Sequence, residues 1–235
     1  NQSIAAPTAV DDEFRYHERT SQALLSCSVC VESAVSSGLY RVEDGPSRCW
    51  WCEGHNDYEL YHDDEWGRPV ADDHRLFEKI CLEGFQSGLS WLTILRKRAA
   101  FREAFCEFDH RQVAGFDSKR VSKLLRDAGI IRHRGKIEAT INNAQRALEM
   151  EKEFGSLGAF FWQYEPPSRR AALKNHADAC FHRTCDEAMQ MSKTLKKRGW
   201  KFVGPTTAYA FMQAMGMVND HLTSCFRYRE VATGG

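Results

Sequence analysis

The chain has 235 residues, of which 43% are hydrophobic and 27% charged, which is the composition of a globular protein with one or two domains. Its 32 basic side chains balance its 32 acidic ones, so any nucleic-acid-binding surface must be local. No apolar run approaches the roughly 20 residues of a membrane span, and no secretory signal is recognisable, so we expect an intracellular protein without a membrane partner.

Three regions are predicted from the distribution of aromatic and polar residues. Residues 1–47 lack clear periodicity and are interpreted as an N-terminal extension, partly disordered, with one short helix from Phe14 to Leu25. Aromatic residues become dense from Cys49 onward. A compact domain is therefore predicted over residues 48–228, followed by a C-terminal tail of residues 229–235.

Helical periodicity accounts for most of this domain, and no segment alternates convincingly like a strand, so the predicted fold class is all-α. The first strong helix runs from His74 to Gly84, with Asp73 as its N-cap. Residues 169–185 are predicted to form a polar loop. Further helices are expected from Trp91 to Phe108, from Asp117 to Ala128, from Ile137 onward, from Cys185 to Arg198 and from Pro205 onward.

Glu83 is the unusual residue of the helix from His74 to Gly84. It lies seven residues after Leu76 and three after Ile80, which places it on the apolar face. A carboxylate on a buried face is costly unless it is hydrogen-bonded or faces a pocket. The charged residues expected on the opposite face are Arg75, Glu78 and Lys79.

Aromatic residues near Glu83 indicate what such a pocket would bind. Tyr61 and Trp91, with Tyr58 and Trp66 close by in the sequence, offer faces that stack on a flat ring and attract a cation. With the carboxylate, they favour a flat, cationic or electron-poor ligand. An aromatic core with a structural Glu83 explains the same residues, and on these residues alone it is the preferred interpretation.

Nine cysteines, an odd number, favour reduced thiols or metal ligands over a disulfide framework. Two ligand sets have a spacing that suits zinc. The first set consists of Cys27, Cys30, Cys49 and Cys52. The second set, which would join the two ends of the domain, consists of Cys49, His62, His221 and Cys225. Thiols and imidazoles without any metal are a third interpretation, and spacing alone leaves all three open.

A basic turn separates two of the predicted helices. Gly129 is predicted to end the first helix as a left-handed cap, and the second restarts after Gly135. The backbone N–H groups at that restart, together with Arg132, Arg134 and Lys136, suit a phosphate group. A solvated basic turn without a ligand explains these residues equally well.

Six motifs, spread from Arg48 to about Cys225, resemble those of 3-methyladenine DNA glycosylase I, a family of the helix-hairpin-helix superfamily of base-excision repair enzymes. They are RCxW at 48–51, YHDxEWG at 61–67, CLEGxQxGLSW at 81–91, DAGIIRHRGKI at 127–137, KKRGxKFVG at 196–204 and FMQAxGxVNDH at 211–221. Phe85 departs from the polar residue typical of the family, which predicts altered contacts at the pocket rim or with DNA.

The resemblance implies a helix-hairpin-helix fold in which one structural zinc ion joins the two ends of the domain. It selects the second ligand set, Cys49, His62, His221 and Cys225. It also implies that Glu83 recognises the damaged base. The residues implied to stack on the base or line its pocket are Tyr61, Trp91, Tyr58 and Trp66.

Flipping a nucleotide out of the duplex leaves a gap, and the resemblance implies that Gly88 and Leu89 lie against it. The residues implied to hold DNA phosphate are those of the basic turn, Gly129, Arg132, Arg134, Gly135 and Lys136. The implied partner is double-stranded DNA carrying alkylated bases, bound by a monomer. The expected compartment is the cytoplasm or nucleoid of a bacterium, or the nucleus or an organelle of a eukaryote.

The implied activity is hydrolysis of the N-glycosidic bond of 3-methyladenine, and whether 3-methylguanine is also a substrate stays open. Because N3-methylation makes adenine cationic, the base leaves as a neutral molecule, so little acid catalysis is needed and Glu83 is expected to recognise the base and stabilise the transition state. Whether Glu83 also activates water stays open. One rival is a bifunctional glycosylase/lyase with Lys136 as its Schiff-base nucleophile. The other is a zinc-dependent nucleic-acid-binding module without catalysis that uses the first ligand set.

Overall fold

A computed structural model describes residues 37–42, 44–167 and 172–233. The short helix predicted from Phe14 to Leu25, as well as Cys27 and Cys30, lies outside the described residues. Within them the chain is mostly helical, which confirms the predicted fold class. No helix in this part of the chain combines the length and the apolar composition that a bilayer crossing requires.

Eleven helices are numbered here in chain order over the described residues. They are α1 (Asn56–Asp64), α2 (Asp73–Gln86), α3 (Trp91–Ala104), α4 (His110–Val113), α5 (Ser118–Leu124), α6 (Arg134–Phe154), α7 (Leu157–Phe161), α8 (His176–Phe181), α9 (Asp186–Lys197), α10 (Pro205–Ala214) and α11 (Arg227–Thr233). Two short strands, β1 (Leu39–Tyr40) and β2 (Arg48–Cys49), pair antiparallel, with Leu39 opposite Cys49.

Helix α2 is the centre of the domain and contacts α3, α6, α7 and α10. Every residue from Leu76 to Phe85 is buried, so this stretch has no solvent face. Asp72, rather than the predicted Asp73, is the N-cap of α2, because its carboxylate accepts the Arg75 N–H at 2.9 Å. Asp73 instead caps α7, accepting from the N–H groups of Leu157 at 3.0 Å and Gly158 at 2.9 Å.

The connection after α10 passes close to the loop between α1 and α2. Gly216 has a φ of +77°, and a Cβ built there would lie 2.5 Å from the backbone of Arg68 and Pro69. In the same place the Val70 N–H donates to the Met215 carbonyl at 3.2 Å. A residue without a side chain is required at Gly216, both by its left-handed conformation and by this close approach.

Both predicted domain boundaries fall inside paired or helical elements. Residue 48 lies in β2, whose partner β1 belongs to the predicted extension. Residue 229 lies in α11. The predicted polar loop 169–185 contains α8. The packed unit therefore includes segments that the sequence pattern assigned to the extension, a loop and the tail.

Helix α3 ends earlier than predicted. It stops at Ala104, and a 3₁₀ turn, Cys106–Phe108, follows. Those three residues have φ values of +52°, +53° and +56°, which a right-handed helix cannot contain. The apolar spacing continues through Phe105 and Phe108, so periodicity alone could not locate this break.

Candidate active site

A cavity of about 310 Å³ opens between the end of α2, the start of α3, helix α1 and helix α10. Its lining includes all five residues predicted for the base pocket: Glu83, Tyr61, Trp91, Tyr58 and Trp66. It also includes Trp51, which belongs to the first family-like motif but was not singled out as a site residue. The cavity is large enough for one nucleobase with its sugar.

Aromatic rings form one wall of the cavity. Tyr58 and Tyr61 are three residues apart on α1, so both project from the same helix face, with ring centroids 6.4 Å apart. The Tyr61 ring lies 5.4 Å from that of Trp91, and Trp51 contacts both Tyr58 and Trp66 at 4.9 Å. The Tyr58–Tyr61 pair is stacked, the Trp51–Trp66 pair is T-shaped and the other two pairs are tilted, so these rings pack against one another and form a surface on which a flat ligand can stack.

Glu83 lines the cavity but is only 6% exposed, so its carboxylate needs a partner. That partner is Lys79, one turn earlier on α2, whose Nζ lies 2.9 Å from Glu83 Oε1. The sequence-based placement of Lys79 and Glu78 on a solvent-facing side was wrong, since both are buried. The i,i+4 spacing of Lys79 and Glu83 was the signal that could have revealed the pair.

The Lys79 ammonium has two further contacts within the site. It donates a hydrogen bond to the Tyr61 hydroxyl at 2.7 Å, and it lies 3.2 Å from the centroid of the Trp91 ring. Burial lowers the pKa of Lys79, and the Glu83 carboxylate opposes that effect. Burial, and after it the charge of Glu83, raises the pKa of Tyr61 well above its usual value. Tyr61 is therefore a neutral phenol at physiological pH.

The cavity lining contains a second carboxylate that the sequence pattern did not reveal. Asp220 is 7% exposed, lines the cavity, and accepts hydrogen bonds from Tyr209 and, at 2.8 Å, from Gln213. Tyr209 lies in α10 and Gln213 lies at the C-terminal end of the same helix, and both line the cavity. Asp220 follows Asn219 in the last family-like motif, but no periodicity there distinguishes it from a surface residue.

Phe85 does not contact the cavity rim. Its ring is 1% exposed and packs against Phe101 at 4.6 Å and Phe105 at 5.9 Å between ring centroids. The expectation that Phe85 alters contacts at the pocket rim or with DNA was therefore wrong. An apolar residue at this position fits because it lies in the core between α2 and α3.

Four residues from the two ends of the domain form a buried cluster that could hold a metal ion: Cys49, His62, His221 and Cys225. Cys225 Sγ lies 3.4 Å from His62 Nε2 and 3.6 Å from His221 Nδ1, and Cys49 Sγ lies 3.8 Å from His221 Nδ1. In a tetrahedral zinc site the sulfur–nitrogen edge is about 3.6 Å, which follows from the usual metal–ligand bond lengths. The donor set and its geometry fit such an ion.

The neighbours of the cluster orient its ligands. His62 Nδ1–H donates to Asp63 at 2.8 Å and His221 Nε2–H donates to the Trp66 carbonyl at 3.1 Å, so the other ring nitrogens face the thiols. A hydrogen bond from the Cys49 thiol lowers the pKa of the Cys225 thiol, and burial opposes that effect.

The basic turn has a different backbone from the one predicted. Helix α5 ends at Leu124, and Gly129 does not have a positive φ. Its N–H donates to the Asp127 carboxylate at 2.8 Å. Helix α6 begins at Arg134, before Gly135, with His133 as its N-cap. Arg132 and Arg134 are exposed, as a phosphate contact requires.

Lys136 has an environment unlike that of a surface phosphate ligand. Its side chain is 8% exposed, and its ammonium donates to the carbonyls of Phe85 at 2.9 Å and Ser87 at 2.5 Å. Burial lowers the pKa of Lys136. The residue fastens the start of α6 to the turn after α2. That turn carries Gly88, with a φ of +79°, and Leu89, whose side chain is 42% exposed.

The family model described as methyladenine glycosylase matches residues 51–228, which is most of the chain. The chain belongs to the methyladenine glycosylase family. DNA-3-methyladenine glycosylase 1 of Escherichia coli (strain K12) is 45% identical over 184 residues, which cover 77% of this chain and 96% of that protein. A crystal structure of 3-methyladenine DNA glycosylase I has 44% identity and a TM-score of 0.72, and covers 76% of this chain and 98% of its own.

A methyladenine glycosylase from Staphylococcus aureus was solved to show the structural basis of 3-methyladenine recognition. It is 37% identical to this chain with a TM-score of 0.70, and the match covers 74% of this chain and 92% of that structure. These similarities extend over nearly the full length of each relative. They confirm the family that the sequence motifs indicated.

Proposed function

We propose that this methyladenine glycosylase hydrolyses the N-glycosidic bond between 3-methyladenine and deoxyribose in alkylated DNA, as a monofunctional base-excision repair enzyme. The observation that carries the proposal is the Glu83 carboxylate in an aromatic-walled cavity of about 310 Å³. Relatives named for this activity, at about the same length, support it.

The chemistry of the substrate explains why this site suffices. A 3-methyladenine base in DNA carries a positive charge, so breaking its bond to C1′ releases a neutral base without prior protonation. Glu83 accepts a hydrogen bond from the exocyclic amine of the base, and Tyr61 and Trp91 hold the flat ring. The negative charge of Glu83 favours a cationic base over its neutral parent.

The proposed DNA-binding face joins two adjacent features. Arg132 and Arg134, together with the exposed turn from Gly129 to Gly135, hold phosphate groups without reading sequence. Gly88 and Leu89 face the gap that the flipped nucleotide leaves in duplex DNA. Lys136 positions these features relative to each other through its bonds to Phe85 and Ser87, and not by contacting phosphate. The protein acts as a monomer.

A structural zinc ion is proposed for the Cys49, His62, His221 and Cys225 cluster. Two thiols and two imidazoles are a preferred zinc donor set, and four protein ligands would complete a tetrahedral site and leave no position for a substrate water. When bound, zinc supplies folding free energy by joining β2 and α1 to the segment before α11. Recognition and hydrolysis depend on other residues.

Glu83→Gln tests the proposed function. The amide can no longer offer two anionic acceptors, so single-turnover release of 3-methyladenine from methylated duplex DNA is expected to fall by about two orders of magnitude. Base release is measured by separating the free bases chromatographically, which also shows whether 3-methylguanine is released. Glu103→Gln, an exposed carboxylate on α3, is the matched control and should excise normally.

Affinity for undamaged DNA and metal content should not change in Glu83→Gln, because neither depends on the pocket. Excision at the wild-type rate by Glu83→Gln would contradict the proposed role of the carboxylate. A covalent adduct with DNA after borohydride treatment would instead support a lyase. The two carbonyl contacts of the buried Lys136 ammonium argue against that reaction.

A further inference from the structure

The three residues proposed to hold the base all contact one buried cation. The Lys79 ammonium lies 2.9 Å from Glu83 Oε1, donates to the Tyr61 hydroxyl at 2.7 Å, and sits 3.2 Å from the centroid of Trp91. Lys79 itself is not part of the cavity lining. It therefore lies behind the site and touches each of its recognition elements.

A lysine is an expensive residue for this position. It is 5% exposed on a helix that is buried on every side, and burial of an ammonium costs several kcal/mol unless its hydrogen bonds are replaced. An apolar side chain of similar length would pack there without that cost. The contacts to Glu83, Tyr61 and Trp91 replace the hydration that burial removes. These three site residues are therefore what makes a buried lysine tolerable at position 79.

Other charges around Lys79 largely cancel. Glu65, at the end of α1, and Arg98, on α3, face it, but they are paired with each other at 2.5 and 2.7 Å. Of the charged residues that line the cavity with Glu83, Asp220 is held by Tyr209 and Gln213, and Arg183 donates to the Cys180 carbonyl. His182 also lines the cavity. Lys79 is thus the direct counter-ion of Glu83.

We propose that Lys79 is a positioning residue that fixes Oε1 of Glu83, so that Oε2 is the atom offered to the exocyclic amine of the base. The ammonium also covers one face of the Trp91 indole, which leaves only the other face for stacking. This inference rests on the proposed excision of 3-methyladenine. It adds that recognition requires a prearranged ion pair, not a carboxylate alone.

Lys79→Met tests the proposal, because methionine keeps the length of the side chain and removes the charge. Without its counter-ion the buried carboxylate is expected to hold a proton at higher pH. Single-turnover excision should fall about tenfold at pH 7, and the pH of half-maximal excision on the acid side should rise by about one unit. Lys119→Met, an exposed lysine on α5, is the matched control and should change neither quantity.

The double variant Lys79→Met/Glu83→Gln separates positioning from a general structural role. If Lys79 acts through Glu83, the double variant excises as slowly as Glu83→Gln, within about twofold. This variant also removes both buried charges, so it provides the decisive comparison even where Lys79→Met alone does not fold. Melting temperature and metal content verify that each variant is folded.

Two results would overturn the proposal. One is a Lys79→Met protein with the wild-type rate and an unmoved acid limb. The other is a further tenfold loss when Lys79→Met is added to Glu83→Gln, which would mean that Lys79 acts independently of the carboxylate. Failure of the wild-type protein itself to release 3-methyladenine would instead refute the proposed function.

Discussion

Tyr61 has two roles in the site, because its ring lines the cavity while its hydroxyl accepts a hydrogen bond from Lys79. The sequence motif identifies the ring as a stacking surface but contains nothing about the hydroxyl. The missing information is the position of Lys79. Amphipathic reasoning assumes that a helix has a solvent face, and α2 has none between Leu76 and Phe85.

Tyr61→Phe is expected to lower the free energy of unfolding by about 2 kcal/mol, because the buried Lys79 ammonium loses a hydrogen-bond acceptor. Urea denaturation followed by circular dichroism measures the change. Tyr58→Phe is the matched control. The Tyr58 hydroxyl makes no hydrogen bond within the described residues, so its removal should cost less than about 0.5 kcal/mol. Equal losses in the two variants would show that the Lys79–Tyr61 bond contributes nothing.

At the scale of elements, the sequence predicted six of the eleven described helices, each starting within three residues of its observed start, and it missed α1, α4, α7, α8 and α11. Helix α10 begins at Pro205 as predicted, since proline suits the first helical position. The cap of α2 was misplaced because Asp72 and Asp73 are chemically equivalent in the sequence. Only the nearness of α7, 84 residues away in sequence, decides which carboxylate caps which helix.

The loop after α10 provides a test of how tightly the elements are joined. Gly216→Ala should lower the free energy of unfolding by about 3 kcal/mol, because the new Cβ is forced into the Arg68–Pro69 backbone at an unfavourable φ. Gly88→Ala has a similar φ but open space around its Cβ, so about 1 kcal/mol is expected. The midpoints of urea unfolding give both values. A similar loss of unfolding free energy in both variants would mean that the Arg68–Pro69 backbone moves to make room for the new Cβ.

At the scale of the whole molecule, the cysteine and histidine cluster joins residues 172 positions apart, from Cys49 to His221. Cysteine and histidine spacing left two ligand sets open, because spacing contains no information about how distant segments meet. The resemblance selected the set that the structure brings together. Asp220, only one residue from His221, was missed because no local pattern marks a residue that faces a cavity.

Deletion of residues 1–36 is expected to leave one zinc ion per chain, measured by elemental analysis, because β1 and all four proposed ligands remain. Cys225→Ser should lose the metal and lower the melting temperature by about 10 °C or more. Cys180→Ser, an exposed thiol, is the control and should retain both. Loss of zinc on deletion of residues 1–36 would indicate that Cys27 and Cys30 are ligands.

The bonds from Lys136 to Phe85 and Ser87 have a mechanical consequence. They fasten the start of α6, which follows the basic turn, to the turn that carries Gly88 and Leu89, so the two turns are already joined without DNA. Under the proposed function, the basic turn binds the DNA backbone at one point. The Gly88–Leu89 turn contacts the duplex at a second point, a fixed number of nucleotides away. The buried Lys136 ammonium would then set the distance between the two DNA contacts.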